Sequence, residues 1–173
     1  RLVEVAAHPN IELLSYASLS RIGGQAGSFE VEVTIKPRYV NMSKCVGCAT
    51  CTTVCPVIVP SRWNLGLKPR KCIRIIFAQA VPLRATIEKD YCIDCQMCVQ
   101  VCEHQAINLL YRPSKRRLKV GVIVLATGAR PFDPAIKSEY GYGLIPGVVT
   151  NLEFERIVCA TGRDPSVEMV RIG

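Results

Sequence analysis

The sequence predicts an α+β chain in which a cysteine-dense module lies between two strand-bearing flanks. Residues 29–35 alternate as Phe, Glu, Val, Glu, Val, Thr, Ile, the period-two pattern of a half-buried strand. Eight of the ten cysteines fall in two runs of the same spacing, one from Cys45 to Cys55 and one from Cys92 to Cys102. A nearly all-apolar stretch, residues 121–126, is followed by a helix-start pattern at Thr150.

The first flank, residues 1–36, reads as strands. Ile11-Glu12-Leu13-Leu14 makes a short apolar run after His8-Pro9-Asn10. Gly23-Gly24 and Gly27-Ser28 supply the turn before strand 29–35, whose Phe29, Val31, Val33 and Ile35 share one face. Lys36-Pro37 closes this block.

The cysteine module spans residues 37–108. Tyr39, Cys45 and Cys55-Pro56-Val57 in its first half are echoed by Tyr91-Cys92, Cys102 and Ala106-Ile107 in its second. The spacer, residues 58–90, is rich in Pro and basic residues and is expected to be loop with short helical or extended pieces. In the second flank, residues 107–111 and 117–126 are predicted strands joined by a turn at Pro113-Ser114. The apolar stretch 121–126 suits a strand buried on both faces of a parallel sheet. Thr150-Asn151-Leu152-Glu153 fits a capping box, with a helix running to Ala160 and Gly162 as its stop.

Length and composition narrow the function. The 173 residues fit one ordinary domain and begin at Arg1, in what reads as mid-fold sequence of a longer polypeptide. No basic flank followed by an apolar core marks a signal peptide. With neighbouring cysteines too close for easy pairing, a reducing, cytoplasmic setting is expected rather than a disulfide framework. The longest apolar stretch, residues 120–126, is far too short to span a bilayer. The formal charge of +8 raises nucleic-acid binding, but the basic residues are scattered. Only Lys115-Arg116-Arg117 forms a run, which reads as a solvated turn. No nucleic-acid partner is expected, and a basic surface equally suits an acidic redox partner.

Each run reads Cys-x-x-Cys-x-x-Cys-x-x-x-Cys, the spacing of bacterial ferredoxins. Three thiolates two residues apart on a tight loop reach three irons of one cubane; the fourth iron needs a ligand from elsewhere. Resemblance to two-cluster ferredoxins implies that the last cysteine of each run crosses to the other cluster. Cys45, Cys48, Cys51 and Cys102 are then the ligands of one [4Fe–4S] cluster, and Cys92, Cys95, Cys98 and Cys55 those of the other. Structural zinc, the competing reading, uses cysteines in pairs of knuckles, and a compact triple plus a fourth is a different pattern. Gly47 lies where a tight loop tolerates little bulk. Asp94 occupies the same place in the second run, where a carboxylate should lower that cluster's potential. Cys72 and Cys159 are read as small buried hydrophobes. His8 and His104 are not needed as ligands.

Residues 121–128 form an apolar run ending in Ala126-Thr127-Gly128, a small-residue turn of the kind that lets backbone approach a flavin or pyridine nucleotide; the alternative is a core strand with a tight turn. No Gly-x-Gly-x-x-Gly fingerprint occurs.

Taken together, the sequence resembles the A subunit of heterodisulfide reductase. The match rests on residues 8–14 (HPNIELL), 36–40 (KPRYV), 79–82 (QAVP), 91–93 (YCI), 126–128 (ATG), 139–143 (EYGYG) and 152–156 (LEFER). That resemblance implies a two-cluster ferredoxin-like module, residues 37–108, inserted in a thioredoxin-reductase-like FAD/NAD(P)-binding α/β domain. Residues 1–36 and 109–173 would belong to that domain, with Ala126, Thr127 and Gly128 as FAD contacts and the main phosphate-binding loop upstream of Arg1. It further implies electron exchange with other subunits of the complex, or with a ferredoxin or hydrogenase donor. The segment 72–78 and the tail after Gly162 depart from the family pattern. Two other readings stay open: the flavoprotein subunit of a quinone-interacting membrane-bound oxidoreductase complex, and a free-standing ferredoxin-like carrier. No side-chain catalytic constellation is evident.

Overall fold

The structure is a computed structural model in which residues 1–159 are described. By compactness the chain divides into two units: Arg1–Val59 with Lys71–Leu125, and Pro60–Arg70 with the chain from Ala126 onward.

The first unit opens with a short helix, α1 (Leu2–Ala7), where a strand is expected. All its side chains are exposed. It stops at His8, whose extended backbone is the conformation favoured before a proline. Residues 11–14 take no regular structure. Strands β1 (Ala17–Gln25) and β2 (Ser28–Ile35) then form an antiparallel hairpin. Gly23 and Gly24 lie inside β1, not in the turn; a Cβ on Gly24 would stand 2.3 Å from the Ser28 carbonyl oxygen, so this close crossing requires glycine. In β2 the alternation holds over the first half, with Phe29 half-buried between exposed Ser28 and Glu30 and Val31 buried, whereas Glu32 through Ile35 are all half-buried.

Next come α2 (Thr50–Val54), β3 (Ile58–Pro60), β4 (Pro69–Lys71), β5 (Ile73–Arg74), β6 (Thr86–Ile87) and α3 (Met97–Gln100). β3 pairs with β4, and β5 with β6. Strand β7 (Ser114–Val120) returns to the first sheet, giving the antiparallel order β1-β2-β7 with Val31 opposite Leu118. Thus the strand predicted for 117–126 starts three residues earlier and ends at Val120. Of the predicted strand 107–111, only Ile107 pairs, as an isolated bridge with Val40.

Residues 121–126 are also corrected. They form no strand and are not buried: Val122 is 75% exposed and Val124 82%. A strand buried on both faces needs neighbours on both edges, and among the described residues no strand pairs with this stretch, which is met at its start by the Gly27 amide donating to the Gly121 carbonyl at 3.1 Å.

The core of the first unit lies within the cysteine module. Val40, Cys51, Cys72, Ile73, Ala85, Ile87, Cys98, Ala106 and Ile107 pack as one buried cluster. Arg38 ties the module to the flank: its guanidinium donates to Thr86 Oγ1 at 2.7 Å and Ser15 Oγ at 3.1 Å, and stacks 5.0 Å from the Tyr16 ring centre.

In the second unit, helix α4 (Asn151–Val158) begins with the predicted capping box. The Glu153 amide donates to Thr150 Oγ1 at 3.2 Å, and the Thr150 amide donates to Glu153 Oε2 at 2.7 Å. Tyr142 adds a hydroxyl bond to Glu153 at 2.7 Å, and the Arg156 guanidinium lies 5.6 Å from the Trp63 ring centre. The expected stop at Gly162, and Ala160 before it, lie outside the described residues.

Candidate metal centres

Each cysteine run wraps a tight loop onto one helical turn, using left-handed backbone at matching places. Gly47 and Asp94, two residues after the first cysteine, have φ of 75° and 55°. Ala49 and Gln96, two residues further on, have φ of 64° and 60° and precede helices α2 and α3. This curl turns successive side chains to one side of the loop. Gly47 has a second reason to be glycine: a Cβ there would meet the Leu83 carbonyl oxygen at 2.7 Å. Asp94 tolerates the left-handed region as Asp and Asn do, and its carboxylate pairs with Lys89.

The thiols gather in two groups. One cavity is lined by Cys45, Cys48, Cys51 and Cys102, with Val40, Ala85 and Ile107 among its apolar walls. A second is lined by Cys55, Cys92, Cys95 and Cys98, walled by Ile73, Ile87 and Leu109. In both, three thiols come from one run and one from the end of the other. The first helical turns contact each other, α2 against α3, which brings Cys55 and Cys102 across. A set of four thiols among apolar walls is the donor chemistry of an iron–sulfur cubane, which takes one thiolate on each of four irons. Among the described residues, no three His, Cys, Asp or Glu side chains close on one point as a single ion would need.

The thiols differ in their surroundings. Burial pushes Cys51 up to about 11, with the nearby Cys45 adding to it, and raises Cys98 too. Cys48, at the exposed rim, is held below the ordinary thiol range by the Thr50 hydroxyl, which donates to its sulfur at 3.4 Å. Iron must displace the protons on the buried pair. A second donor reaches the first cavity, the Ala106 amide to Cys102 Sγ at 3.4 Å.

His104 and Glu103 line the first cavity at its exposed edge. His8 is remote from it in sequence, its Nδ1 accepting from the Asn10 amide at 3.1 Å. Cys159 is half-buried at the end of α4. Ala126, Thr127 and Gly128 are exposed, with Gly128 at φ 74°. Cys72 is a residue the sequence reading underrates. It is 1% exposed, as a buried hydrophobe would be, yet it lines the second cavity and its thiol donates to the Glu88 carbonyl at 3.1 Å.

Comparison with known proteins agrees with the cavities. Two 4Fe-4S binding domain models match, over residues 39–60 and 85–108. The chain therefore carries two 4Fe–4S domains. The iron–sulfur A subunit of the CoB–CoM heterodisulfide reductase of Methanocaldococcus jannaschii is 46% identical over 162 residues, 94% of this chain. The chain is a homologue of the heterodisulfide reductase A subunit. The A subunit of the H2:CoB–CoM heterodisulfide,ferredoxin reductase of Methanothermobacter marburgensis is 44% identical over the same share of this chain. That of the ferredoxin:CoB–CoM heterodisulfide reductase of Methanosarcina mazei is 36% identical over 94% of it. This chain spans about a quarter of the length of the first two relatives and 21% of the third. Among the described residues no helix is long and apolar enough to cross a membrane.

Proposed function

We propose that this chain is the two-cluster electron relay of an oxidoreductase subunit of the heterodisulfide reductase A type. Cys45, Cys48, Cys51 and Cys102 hold one [4Fe–4S] cluster; Cys92, Cys95, Cys98 and Cys55 hold the other. The observation that carries this is the crossed grouping of thiols, three from one run with the last of the other, in each of two cavities. The clusters supply one-electron chemistry at potentials set by their surroundings.

The protein's part is placement. The left-handed residues curl each loop around its sulfurs, and the apolar walls exclude water, so that charge on a cluster is felt more strongly than in solvent. Thr50 and the Ala106 amide donate toward sulfurs of the first cavity, which favours the more negative, reduced form there. Cys48 and Cys95 are exposed at the rims, a route for electrons to and from a partner. The wider reading places residues 37–108 as an insert in an FAD-binding domain, to which residues 1–36 and 109–173 contribute. Ala126, Thr127 and Gly128 then form the backbone turn against the flavin. The exposed apolar side chains of Val122, Val124 and Leu125 support this, since they read as part of a strand awaiting neighbours. Electrons pass between that flavin and other subunits, or a ferredoxin or hydrogenase donor, in the cytoplasm.

Anaerobically purified full-length protein tests the proposal. It is expected to contain two clusters' worth of iron and sulfide, together with flavin absorbance. Colourless, iron-free protein would refute the relay; iron without flavin would refute the wider reading alone.

A further inference from the structure

The two cavities are built by one backbone scheme, and one wall position puts a thiol where its counterpart puts a methyl group. The Asn41 amide, four residues before Cys45, donates to the Ala106 carbonyl at 2.6 Å. The Glu88 amide, four residues before Cys92, donates to the Cys72 carbonyl at 3.2 Å. The following residue completes the correspondence: Ile107 bridges Val40, and Ile73 pairs with Ile87. Ala106 and Cys72 are therefore structural counterparts, although nothing in the spacing of the two runs aligns them. Ala106 gives the first cavity a methyl group; Cys72 gives the second a thiol. A site for four thiolates is thus walled by five.

The local chain links this fifth thiol to one ligand in particular. The Val57 carbonyl accepts the Cys72 amide at 3.0 Å and lies 3.8 Å from Cys55 Sγ. Cys55 and Cys72 share that acceptor, and both side chains line the second cavity. Cys55 is also the ligand that enters from the other run. The S–H bond from Cys72 to Glu88 is a weak one that metal ligation can replace.

We propose that Cys72 is a reserve ligand of the second [4Fe–4S] cluster, able to take the place of Cys55; this rests on the cluster assignment above. In the exchange the Fe–S bond to Cys55 breaks and one to Cys72 forms. The proton leaving the Cys72 thiol is taken up by the departing Cys55 thiolate, so the cluster keeps its charge and oxidation state.

The test uses full-length protein, purified anaerobically and measured for iron, sulfide and electron paramagnetic resonance signals. Cys55→Ala should keep the wild-type iron content and both [4Fe–4S] signals. Cys55→Ala with Cys72→Ala should lose about one iron in eight and show a [3Fe–4S] signal. Cys72→Ala alone should match wild type. In the first cavity, Cys102→Ala should lose iron without help, and adding Ala106→Cys should restore it. Equal iron in the Cys55→Ala single and double variants, at whatever level, would overturn the proposal. Wild-type protein without two clusters would instead overturn the assignment beneath it.

Discussion

The two cysteine runs share spacing, loop curl and helical turn, yet they surround their sulfurs differently. In the first run Thr50 donates to Cys48; its counterpart in the second is Met97, which has no proton to give. In the first cavity the Ala106 amide points at Cys102, whereas the counterpart amide, that of Cys72, goes to the Val57 carbonyl. The first loop is glycine under the Leu83 carbonyl; the second is an aspartate beside Cys92, paired with Lys89. A duplicated pattern therefore yields two like scaffolds with unlike electrostatics. Donors aimed at sulfur stabilise the reduced form, so the first cluster is expected to have the higher potential and to be reduced first.

The most drastic way to break the comparison is to remove a ligand from one side. Cys48→Ala should eliminate one cluster's normal resonance signal and leave the other; two unaltered signals would refute the ligand assignment. Next in size is Gly47→Ala, which puts a Cβ against Leu83 and a non-glycine residue at φ 75°. Strain of about 1–3 kcal/mol is expected, read as faster loss of the first cluster to a chelator. Asp94→Gly relieves a left-handed residue and should slow loss of the second cluster in the same assay; faster loss would show that the Lys89 pair matters more than the backbone.

Smaller effects sharpen the electrostatic side. Thr50→Val removes one hydrogen bond to sulfur, and the part of it gained on reduction, at most on the order of 1 kcal/mol, corresponds to up to about 40 mV for one electron. Redox titration should find the first cluster lowered, by no more than that amount, and the second unmoved. Asp94→Asn should raise the second cluster's potential by less, because Lys89 already offsets the carboxylate; an unchanged or lowered value would count against a role for Asp94. Least of all should Thr150→Ala matter. It removes the cap of α4 at a cost of about 1 kcal/mol, seen as faster amide exchange there, and both potentials should stay as they are.

Much of this is legible in the residues. Spacing alone groups the cysteines in runs, because covalent geometry limits where successive thiols point, and the β2 alternation and the α4 capping box are local signals with local causes. Burial that depends on distant chain is harder to read. Residues 121–126 look like a sheet core, but a strand's burial is decided by its neighbours rather than by its own apolarity. The initial helix escapes notice for a related reason, since Leu2–Ala7 is short, exposed and without periodicity. Cys72 is invisible as a cavity residue because the spacer, not the run, carries the chain back to the place that Ala106 holds in the other half. The pairing of Ile73 with Ile87 and the Glu88 amide on the Cys72 carbonyl disclose that register.

Because each cavity draws its last thiol from the opposite run, neither repeat is a self-sufficient building block. Cleavage in the 60–70 segment followed by separation would leave the first cavity's three thiols without Cys102, and the second cavity's three with only Cys72 to stand in for Cys55. The first redox centre therefore cannot be transplanted or inherited without the second run, which brings Cys102.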